Sequence, residues 1–295
     1  MLVVGFPEYA AQAEALARAL GADFRAAGLH RFPDGESRVT LPLPVSAHTV
    51  MCRSLHSPND KLVELLLAAE TARELGARRI TLVAPYLSYM RQDTAFEPGQ
   101  AVSQRIVGGW LARAFDDVIT VDPHLHRTAT LGEAVPARCA IAASAAGAIG
   151  RFLAGRASEF FIVGPDEESR QWVEAVAGAC GADFAVARKV RHGDRSVSVR
   201  LDATPLDGRT VAVVDDVAST GHTLAETVRV CRALGARRVA VVVTHGLFVD
   251  DALALLEQAG ASDVWSTDSV PHSTNAIALF PSLAQALLSL PPTLS

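Results

Sequence analysis

The chain has 295 residues, 49% of them apolar, so it can bury a substantial core in one large domain or two of ordinary size. Its net charge of −5 argues against general binding to nucleic acids or membrane surfaces, so a phosphate substrate would be held by local loops and a few cations. The four scattered cysteines argue against a zinc site or a disulfide framework. We also expect no secretory signal and no membrane span, because every apolar run is short, and these features together predict a cytoplasmic protein.

The first half of the chain alternates β-branched runs with amphipathic stretches, which predicts strands alternating with helices. The predicted strands are Leu2–Gly5, a strand running to Leu41 after the turn Pro33–Gly35, Thr49–Arg53, Arg79–Pro85 and Val118–Asp122. The predicted helices are Tyr9–Leu20, Asp60–Leu75 with Asn59 as its cap and Gly76 closing it, and Val102–Phe115; an irregular segment occupies Tyr86–Ala101. This alternation is typical of a parallel sheet covered by helices.

The second half repeats the alternation. Its predicted strands are Phe160–Gly164, Phe184–Lys189, Val197–Leu201, Val211–Val214 and the run from Leu234 to Thr244; its predicted helices are one around Ser169–Cys180, one carrying Leu224, Val228 and Cys231, and a C-terminal helix Ala276–Leu290.

Two sequence echoes link the halves. Leu75-Gly-Ala-Arg-Arg79 returns as Leu234-Gly-Ala-Arg-Arg238, and the run Asp117–Asp122 resembles Asp263–Asp268. The first echo alone is a common helix-to-strand junction, but two in the same order favour a tandem duplication. We therefore predict domains at residues 1–140 and 141–277, with the boundary in the Ala/Gly-rich stretch 138–150. A C-terminal helix within 278–295 would pack on the first domain.

A short turn between a buried strand and a helix is the strongest site candidate. The strand Val211–Val214 is followed by Asp215 and Asp216 and then by Ser-Thr-Gly-His-Thr, residues 219–223. A strand, a small-residue turn and a helix point backbone N–H groups at one spot, which suits a phosphate. The alternative is an ordinary turn with Ser and Thr as N-caps. The stretch resembles the phosphoribosyl-diphosphate loop of the type I phosphoribosyltransferase fold.

Eight short motifs, taken in order, resemble the ribose-phosphate pyrophosphokinase family, the synthetases of phosphoribosyl diphosphate. They are Arg31–Glu36, Pro58–Asp60, Pro85–Tyr86, Tyr89–Asp93, Asp122–His124, Pro165–Asp166, Lys189–Arg191 and Val214–Thr223. The resemblance runs from about Phe32 to His272, nearly the whole chain.

The resemblance implies an α/β fold of two tandem phosphoribosyltransferase-type domains, each a mostly parallel sheet flanked by helices. It implies that the diphosphoryl group of Mg-ATP passes to the 1-hydroxyl of ribose 5-phosphate, giving 5-phosphoribosyl 1-diphosphate and AMP. It also implies a homo-oligomer, a dimer building to a tetramer or hexamer, with no nucleic-acid or membrane partner. The alternatives are a phosphoribosyltransferase and a non-catalytic regulatory homologue of the synthetase.

The same resemblance assigns roles to single residues. ATP would be bound by Arg91 and Gln92 and by a loop lent by a neighbouring subunit, Phe32, Asp34, Gly35 and Glu36. The catalytic residues would be His124, Lys189 and Arg191, with Mg²⁺ at His124 and Asp166. Ribose 5-phosphate would be bound by Asp215, Asp216, Ser219, Thr220, Gly221, His222 and Thr223.

Each of these motifs also has a structural interpretation. Phe32–Glu36 reads as a plain hairpin turn, Arg91 and Gln92 as a solvated loop, and His124 as a structural histidine. Asp166 reads equally as the N-cap of the next helix, and the segment Arg188–Ser196 as a charged hairpin.

Two further features are specific to this chain. Its only lysines are Lys61 and Lys189, so these positions keep a compact ammonium where arginine is the default. Ser219 and His222 stand where bacterial family members usually have Asp and often Gly. Glycine adopts positive φ and admits phosphate closely, so the imidazole of His222 would either donate to the phosphate or crowd it.

Overall fold

The computed structural model describes residues 1–156, 159–192, 196–201 and 206–292, without the side chains of 189–192 and 196–199. By its internal contacts the chain divides into two units. Unit 1 comprises Met1–Ser144 and the segment from Leu279 onward, and unit 2 comprises Ala145–Ala278. In the described residues no helix combines the length and apolarity needed to span a membrane.

Unit 1 is built on a six-stranded parallel sheet. The strands of the unit are β1 (Leu2–Gly5), β2 (Asp23–Ala26), β3 (Gly28–Arg31), β4 (Ser37–Thr40), β5 (His48–Cys52), β6 (Arg79–Val83), β7 (Asp117–Val121) and β8 (Cys139–Ala143). Before the chain enters unit 2, the helices of unit 1 are α1 (Ala10–Leu20), α2 (Pro58–Glu74), α3 (Ser103–Ala114) and α4 (Leu131–Ala134). The sheet order is β2-β1-β5-β6-β7-β8, and β3 and β4 form a separate antiparallel hairpin.

Unit 2 repeats this plan. Its helices are α5 (Ala146–Ala154), α6 (Arg170–Cys180), α7 (His222–Ala233) and α8 (Ala252–Gln258), and its strands are β9 (Phe161–Gly164), β10 (Phe184–Val186), β11 (Arg188–His192), β12 (Ser196–Arg200), β13 (Thr210–Ala218), β14 (Arg238–Gly246), β15 (Asp263–Thr267) and β16 (Asn275–Ile277). The parallel sheet runs β10-β9-β13-β14-β15-β16, and β11 and β12 form an antiparallel hairpin. The chain then returns to unit 1 as α9 (Phe280–Leu288), which contacts α1, β7 and β8.

The two sheets are equivalent strand by strand, which confirms the predicted tandem α/β fold. Even the register of the echoed segments agrees, since Thr81 pairs with Asp117 in unit 1 and Ala240 with Asp263 in unit 2. Parallel strands covered on both faces read as continuous apolar runs. That is why β6 and β7, buried at every position, were recognisable in the sequence.

Three predicted element boundaries were wrong. Helix α2 begins at Pro58 with Ser57 as its N-cap, so Asn59 lies in the first turn and does not cap it. Strand β13 does not end at Val214, because its pairing with β14 continues to Ala218. The C-terminal helix begins at Phe280, since Asn275–Ile277 pair with β15 as β16.

Two stretches were read too simply. The predicted strand Phe184–Lys189 divides at Ala187 into β10 and β11, which belong to different sheets. The Ala/Gly-rich stretch 138–150 holds β8 and the start of α5, and the division between the units falls between them, after Ser144. Alanine is a weak strand former, so Cys139-Ala-Ile-Ala-Ala143 gave little strand signal.

Candidate active site

The turn between β13 and α7 has the geometry of an anion site. Gly221, the N-cap of α7, has φ of 75°, and no side chain caps the helix. The carbonyls of Ala218 and Ser219 accept the N–H groups of Phe248 and Val249 at 3.0 and 3.1 Å, which fixes the turn from behind. The first-turn N–H groups of α7 therefore remain available to an anionic ligand.

His222 does not need the backbone freedom of glycine. It is the first residue of α7 and lies in the helical conformation, while Gly221 takes the positive φ. Its side chain is exposed, so the imidazole lies beside the turn without a buried neighbour to displace.

The paired aspartates lie inside β13 and not beyond it. Consecutive residues of a strand point to opposite faces of the sheet. Asp216 is buried at 5% exposure, whereas Asp215 is half-buried, and Asp215 Oδ1 accepts the N–H of Asp216 at 3.1 Å. The carboxylates of Asp215 and Asp216 therefore lie on opposite faces of the sheet.

Asp166 follows β9, the parallel neighbour of β13. Its Oδ1 accepts the N–H groups of Glu168 and Ser169 at 3.1 and 3.3 Å, so the N-cap interpretation is confirmed for the short 3₁₀ turn Glu167–Ser169. A cavity of about 580 Å³ adjoins it, lined by Asp166, Glu167, Glu168, Arg170 and Arg188. Asp166, Asp215 and the phosphate turn thus share the carboxyl edge of one sheet, where open α/β sheets bind ligands.

Lys189 and Arg191 lie on β11, where the backbone pairs them with Val199 and Val197 of β12. Their side chains lie outside the described part of the chain. The charged-hairpin interpretation of this segment is confirmed for its backbone.

Unit 1 brings together the segments that carry Arg91, Gln92 and His124. They follow the adjacent strands β6 and β7. Arg91 is exposed, and Gln92 is anchored because its Oε1 accepts the Ser103 hydroxyl at 3.0 Å. The ring of His124 packs edge-on against that of His126, with centroids 4.4 Å apart. Asp122 begins this second segment with φ of 35° and donates its N–H to Ala143 O at 3.0 Å.

Asp93 connects these two segments. Its side chain is 2% exposed, and it accepts the guanidinium of Arg127 at 2.8 Å and the Arg127 N–H at 3.1 Å. Burial raises the pKa of the Asp93 carboxyl, but the bonds from Arg127 outweigh it and hold that pKa below its ordinary value.

The Phe32–Glu36 turn is the exposed tip of the β3–β4 hairpin. Gly35 has φ of 95°, and Asp34 Oδ1 accepts the Glu36 N–H at 3.1 Å, so the plain-hairpin interpretation describes its local structure. Phe32 is 38% exposed. The two residues that flank this turn are fixed to α2, Arg31 by an ion pair with Asp60 at 2.7 Å and Ser37 by its hydroxyl, which donates to Glu64 at 2.7 Å.

A buried ion network, which sequence reasoning missed, lies beside this hairpin. The Arg53 side chain is 3% exposed and pairs with Glu8 at 2.7 Å and Glu64 at 2.6 Å. Lys61 donates to Ser54 O at 2.9 Å and contacts the His56 ring at 3.1 Å. Burial and the neighbouring Lys61 charge lower the pKa of His56 to about 4, so this ring is neutral at physiological pH. The scarcity of lysine in the sequence was the one available signal.

The donor set fits a magnesium ion carried by a substrate. In the described residues no group of three or more His, Cys, Asp or Glu side chains could hold a metal ion. Mg²⁺ usually needs no such cage, since it is bound by one or two carboxylates together with phosphates and water. Asp166 follows β9 and Asp215 lies on the neighbouring strand β13, so both supply carboxylates at this edge of the sheet. The imidazole of His124 is a less typical magnesium ligand.

Comparison with known proteins gives two family matches. Residues 1–114 match the N-terminal domain of ribose phosphate pyrophosphokinase, and residues 134–268 match the phosphoribosyl transferase domain. The ribose-phosphate pyrophosphokinase of Methanopyrus kandleri is 34% identical over 294 residues, covering 98% of this chain and 99% of the relative. That of Halobacterium salinarum is 32% identical over 276 residues, covering 93% and 96%.

Among solved structures, the phosphoribosylpyrophosphate synthetase from Mycobacterium smegmatis has the same fold. It matches with a TM-score of 0.82 over 98% of both chains, at 24% sequence identity.

Proposed function

The chain belongs to the ribose-phosphate pyrophosphokinase family, and we propose that it transfers the diphosphoryl group of Mg-ATP to ribose 5-phosphate. The 1-hydroxyl oxygen attacks the β-phosphorus of ATP, the bond from that phosphorus to the α,β-bridging oxygen breaks, and AMP leaves. The products are 5-phosphoribosyl 1-diphosphate, AMP and the hydroxyl proton.

The observation that carries this proposal is the turn before α7, where Gly221 at positive φ ends the loop that follows the strand carrying Asp215 and Asp216. It supports binding of the 5-phosphate by the turn Ser219–Thr223, where N–H groups and the helix dipole favour an anion. Asp215 and Asp216 would accept hydrogen bonds from the ribose hydroxyls. Because the two carboxylates face opposite sides of β13, we assign the sugar contact first to Asp215, which is half-buried and not closed off.

The nucleotide would be bound by Arg91, Gln92 and the Phe32–Glu36 turn. Arg91 is exposed at the carboxyl edge of unit 1, as a phosphate contact requires. The hairpin tip is exposed from Phe32 to Glu36. This supports the proposal that the tip reaches the nucleotide of a neighbouring subunit, with the adenine ring packed against Phe32. We therefore propose a homo-oligomer of at least two chains. The four scattered cysteines support a cytoplasmic location for it.

Catalysis would depend on cations placed where charge accumulates during phosphoryl transfer. Lys189 and Arg191 would supply them, and closure of the β11–β12 hairpin over ATP would exclude water. His124 and Asp166 would hold the magnesium together with substrate phosphates. Bound Mg²⁺ neutralises charge on the phosphate oxygens.

The test is AMP release from ATP, measured with and without ribose 5-phosphate. Release that depends on the sugar phosphate supports the proposal. Nucleotide binding without turnover would indicate a regulatory homologue instead. Release of diphosphate from phosphoribosyl diphosphate with a nucleobase, and no AMP from ATP, would indicate a phosphoribosyltransferase.

Lys189→Ala tests the proposed catalytic cation. We expect kcat to fall by about 100-fold or more, since removing one transition-state donor typically has this effect, while the affinity for ATP changes little. Arg200→Ala is the matched control, because Arg200 is an exposed cation on the other strand of the same hairpin. Equal rates for Lys189→Ala and the control would remove Lys189 from the mechanism.

A further inference from the structure

The segments that follow β6 and β7 are joined by polar side chains to which the family resemblance assigned no role, although one of them, Asp93, ends the motif Tyr89–Asp93. Asp93 and Arg127 form one connection, and Gln104 and Thr128 form a second. We call these four residues the inter-loop bridge.

Gln104 uses both ends of its side-chain amide. Its Nε2 donates to Met90 O at 3.1 Å, and its Oε1 accepts the Thr128 hydroxyl at 2.8 Å. Gln104 is 4% exposed, its bond to Met90 O is buried, and its bond from Thr128 is partly buried. Replacing the amide would leave Met90 O and the Thr128 hydroxyl without this partner. One buried side chain at the start of α3 thus ties the first segment to the second.

The inter-loop bridge bonds to the first segment on both sides of the proposed nucleotide contacts, Arg91 and Gln92. Met90 immediately precedes Arg91, and Asp93 immediately follows Gln92. The Gln92 carbonyl also accepts the Gln104 N–H at 3.2 Å. On the second segment the bridge holds Arg127 and Thr128, three and four residues beyond His124.

We propose that Asp93 and Gln104 are positioning residues, which set Arg91 and Gln92 against the segment that carries His124. This rests on the proposed function, in which Arg91 and Gln92 bind the nucleotide and His124 helps to hold the magnesium at the substrate phosphates. In phosphoryl transfer the protein has little covalent chemistry to perform, so the rate depends on how it positions the reacting groups. A displacement of these groups by about 1 Å can cost on the order of 100-fold in rate.

A residue with the same local chemistry elsewhere in unit 1 provides the control. Asp116 accepts the Arg73 guanidinium at 3.0 Å and the Ile80 N–H at 2.7 Å, as Asp93 accepts those of Arg127. Asp116, however, immediately precedes β7, so its bonds to Ile80 of β6 and to Arg73 of α2 lie at the opposite edge of the sheet.

The experiment compares Asp93→Asn with Asp116→Asn. Each change places an amide N–H₂ where a carboxylate oxygen accepted a hydrogen bond. We expect Asp93→Asn to lower kcat/KM for ATP by about 10- to 100-fold, with the affinity for ribose 5-phosphate within about two-fold, because the sugar contacts lie in unit 2. Asp116→Asn should change kcat/KM by less than about three-fold. Its Tm is measured alongside that of Asp93→Asn, because the Asp116 side chain is 30% exposed and that of Asp93 is 2% exposed. Equal kinetic effects of the two variants, after comparison of Tm, would overturn the proposal.

Thr128 provides a second, milder test. Thr128→Val keeps the shape and removes the hydroxyl that bonds Gln104, whereas Thr128→Ser keeps the hydroxyl. We expect the valine variant to lose about 3- to 10-fold in kcat/KM for ATP and the serine variant to recover most of it. Indistinguishable variants would contradict the Gln104 connection.

Failure of the bridge can be distinguished from failure of the proposed function. If the unaltered enzyme released no AMP, the proposed function would be wrong. The bridge would then be tested by titrating a non-hydrolysable ATP analogue into Asp93→Asn and Asp116→Asn. Weaker binding by Asp93→Asn alone supports the bridge, and equal binding overturns it.

Discussion

Gly221 is the residue on whose backbone conformation the proposed phosphate turn depends. Its φ of 75° favours glycine, and a Cβ there would sit 3.4 Å from Ala252, an ordinary contact. We therefore expect Gly221→Ala to cost about 1–2 kcal/mol of stability through backbone strain alone. It should also weaken ribose 5-phosphate binding by about ten-fold or more, because the first-turn N–H groups would turn away from the phosphate. Calorimetric titration with ribose 5-phosphate measures this loss.

Gly21 is the control for that strain. It has φ of 61° at the end of α1, and a Cβ there would meet nothing within 4 Å. Gly21→Ala should lose similar stability and keep its affinity for the sugar phosphate. If both variants bind ribose 5-phosphate like the unaltered chain, the turn is not the phosphate site.

At the scale of single residues, the sequence allowed predictions for those residues whose interaction partners are close to them in the chain. The turn after β13 is contiguous, so its small residues and the glycine could be recognised directly. The network of Glu8, Arg53 and Glu64 could not, because its members are separated by up to 56 residues and meet only through tertiary packing. Gln104 was missed for the same reason, since a glutamine in a first helical turn carries no signal of its partners.

The echoed strand segments form the same ion pair twice, in different surroundings. Arg79 pairs with Asp117 at 2.6 Å and Arg238 with Asp263 at 2.7 Å, each joining two adjacent strands. The Asp117 side chain is fully buried and also accepts from Arg138, and Arg79 donates to Pro291 O at 2.8 Å. The Arg238 and Asp263 side chains remain 55% and 24% exposed. One sequence feature thus serves as a buried connection in unit 1 and as a surface pair in unit 2.

We expect Asp117→Asn to destabilise the protein by about 3–5 kcal/mol, because it leaves the buried Arg79 charge uncompensated. Asp263→Asn should cost no more than about 1 kcal/mol, as exposed pairs do. Urea unfolding followed by circular dichroism measures both. Similar costs would mean that burial does not separate the two copies.

The pH dependence offers an independent check of the same pair. Burial raises the pKa of Asp117, but Arg79 and Arg138 outweigh it and lower that pKa below its ordinary value. Its contribution to stability is therefore complete above the ordinary carboxyl pKa and is lost as pH falls through the lower folded value. Asp117→Asn should remove this part of the acid sensitivity.

Elements were predictable where burial imposes a pattern. The β-branched strands β6, β7, β13 and β14 were found because both of their faces are covered. The short edge strand β2 and the alanine-rich β8 and α5 were missed, because their conformation depends on pairing and packing with neighbours more than on their own composition. Only the pairing with β14 shows that β13 continues through its aspartates.

Across the whole molecule, equivalent strands of the two units are followed by different residues. Strand β5 occupies in unit 1 the position of β13 in unit 2. Strand β13 leads through Gly221 to α7, whereas β5 leads to Arg53 and Ser54, and the ammonium of Lys61 donates to Ser54 O. Neither α7 nor α2 has a side-chain cap. The first unit thus has the charges of Arg53 and Lys61 at this edge, while we propose that the second binds an anion there. Two sequence echoes indicated the duplication, but the difference between the residues that follow β5 and those that follow β13 could be recognised only in the structure.

The C-terminal helix extends the first unit after the chain has completed the second. Leu283 and Leu287 of α9 are 2% and 6% exposed, and α9 contacts α1, β7 and β8. We expect Leu283→Ala to cost about 2–4 kcal/mol, since truncating a buried leucine leaves a cavity. Leu288→Ala is the control on the same helix, because Leu288 is 73% exposed, and it should cost little.

Hydrogen exchange locates the loss. Removing the Leu283 side chain should speed amide exchange in α1 and β7, whereas α7 and β14 should keep their protection, because opening is confined to the elements that share the lost contacts. Equal loss of protection in α7 and β14 would mean that α9 stabilises the second unit as much as the first. The same variant should retain its affinity for ribose 5-phosphate, since Gly221 and its turn belong to the elements that stay protected.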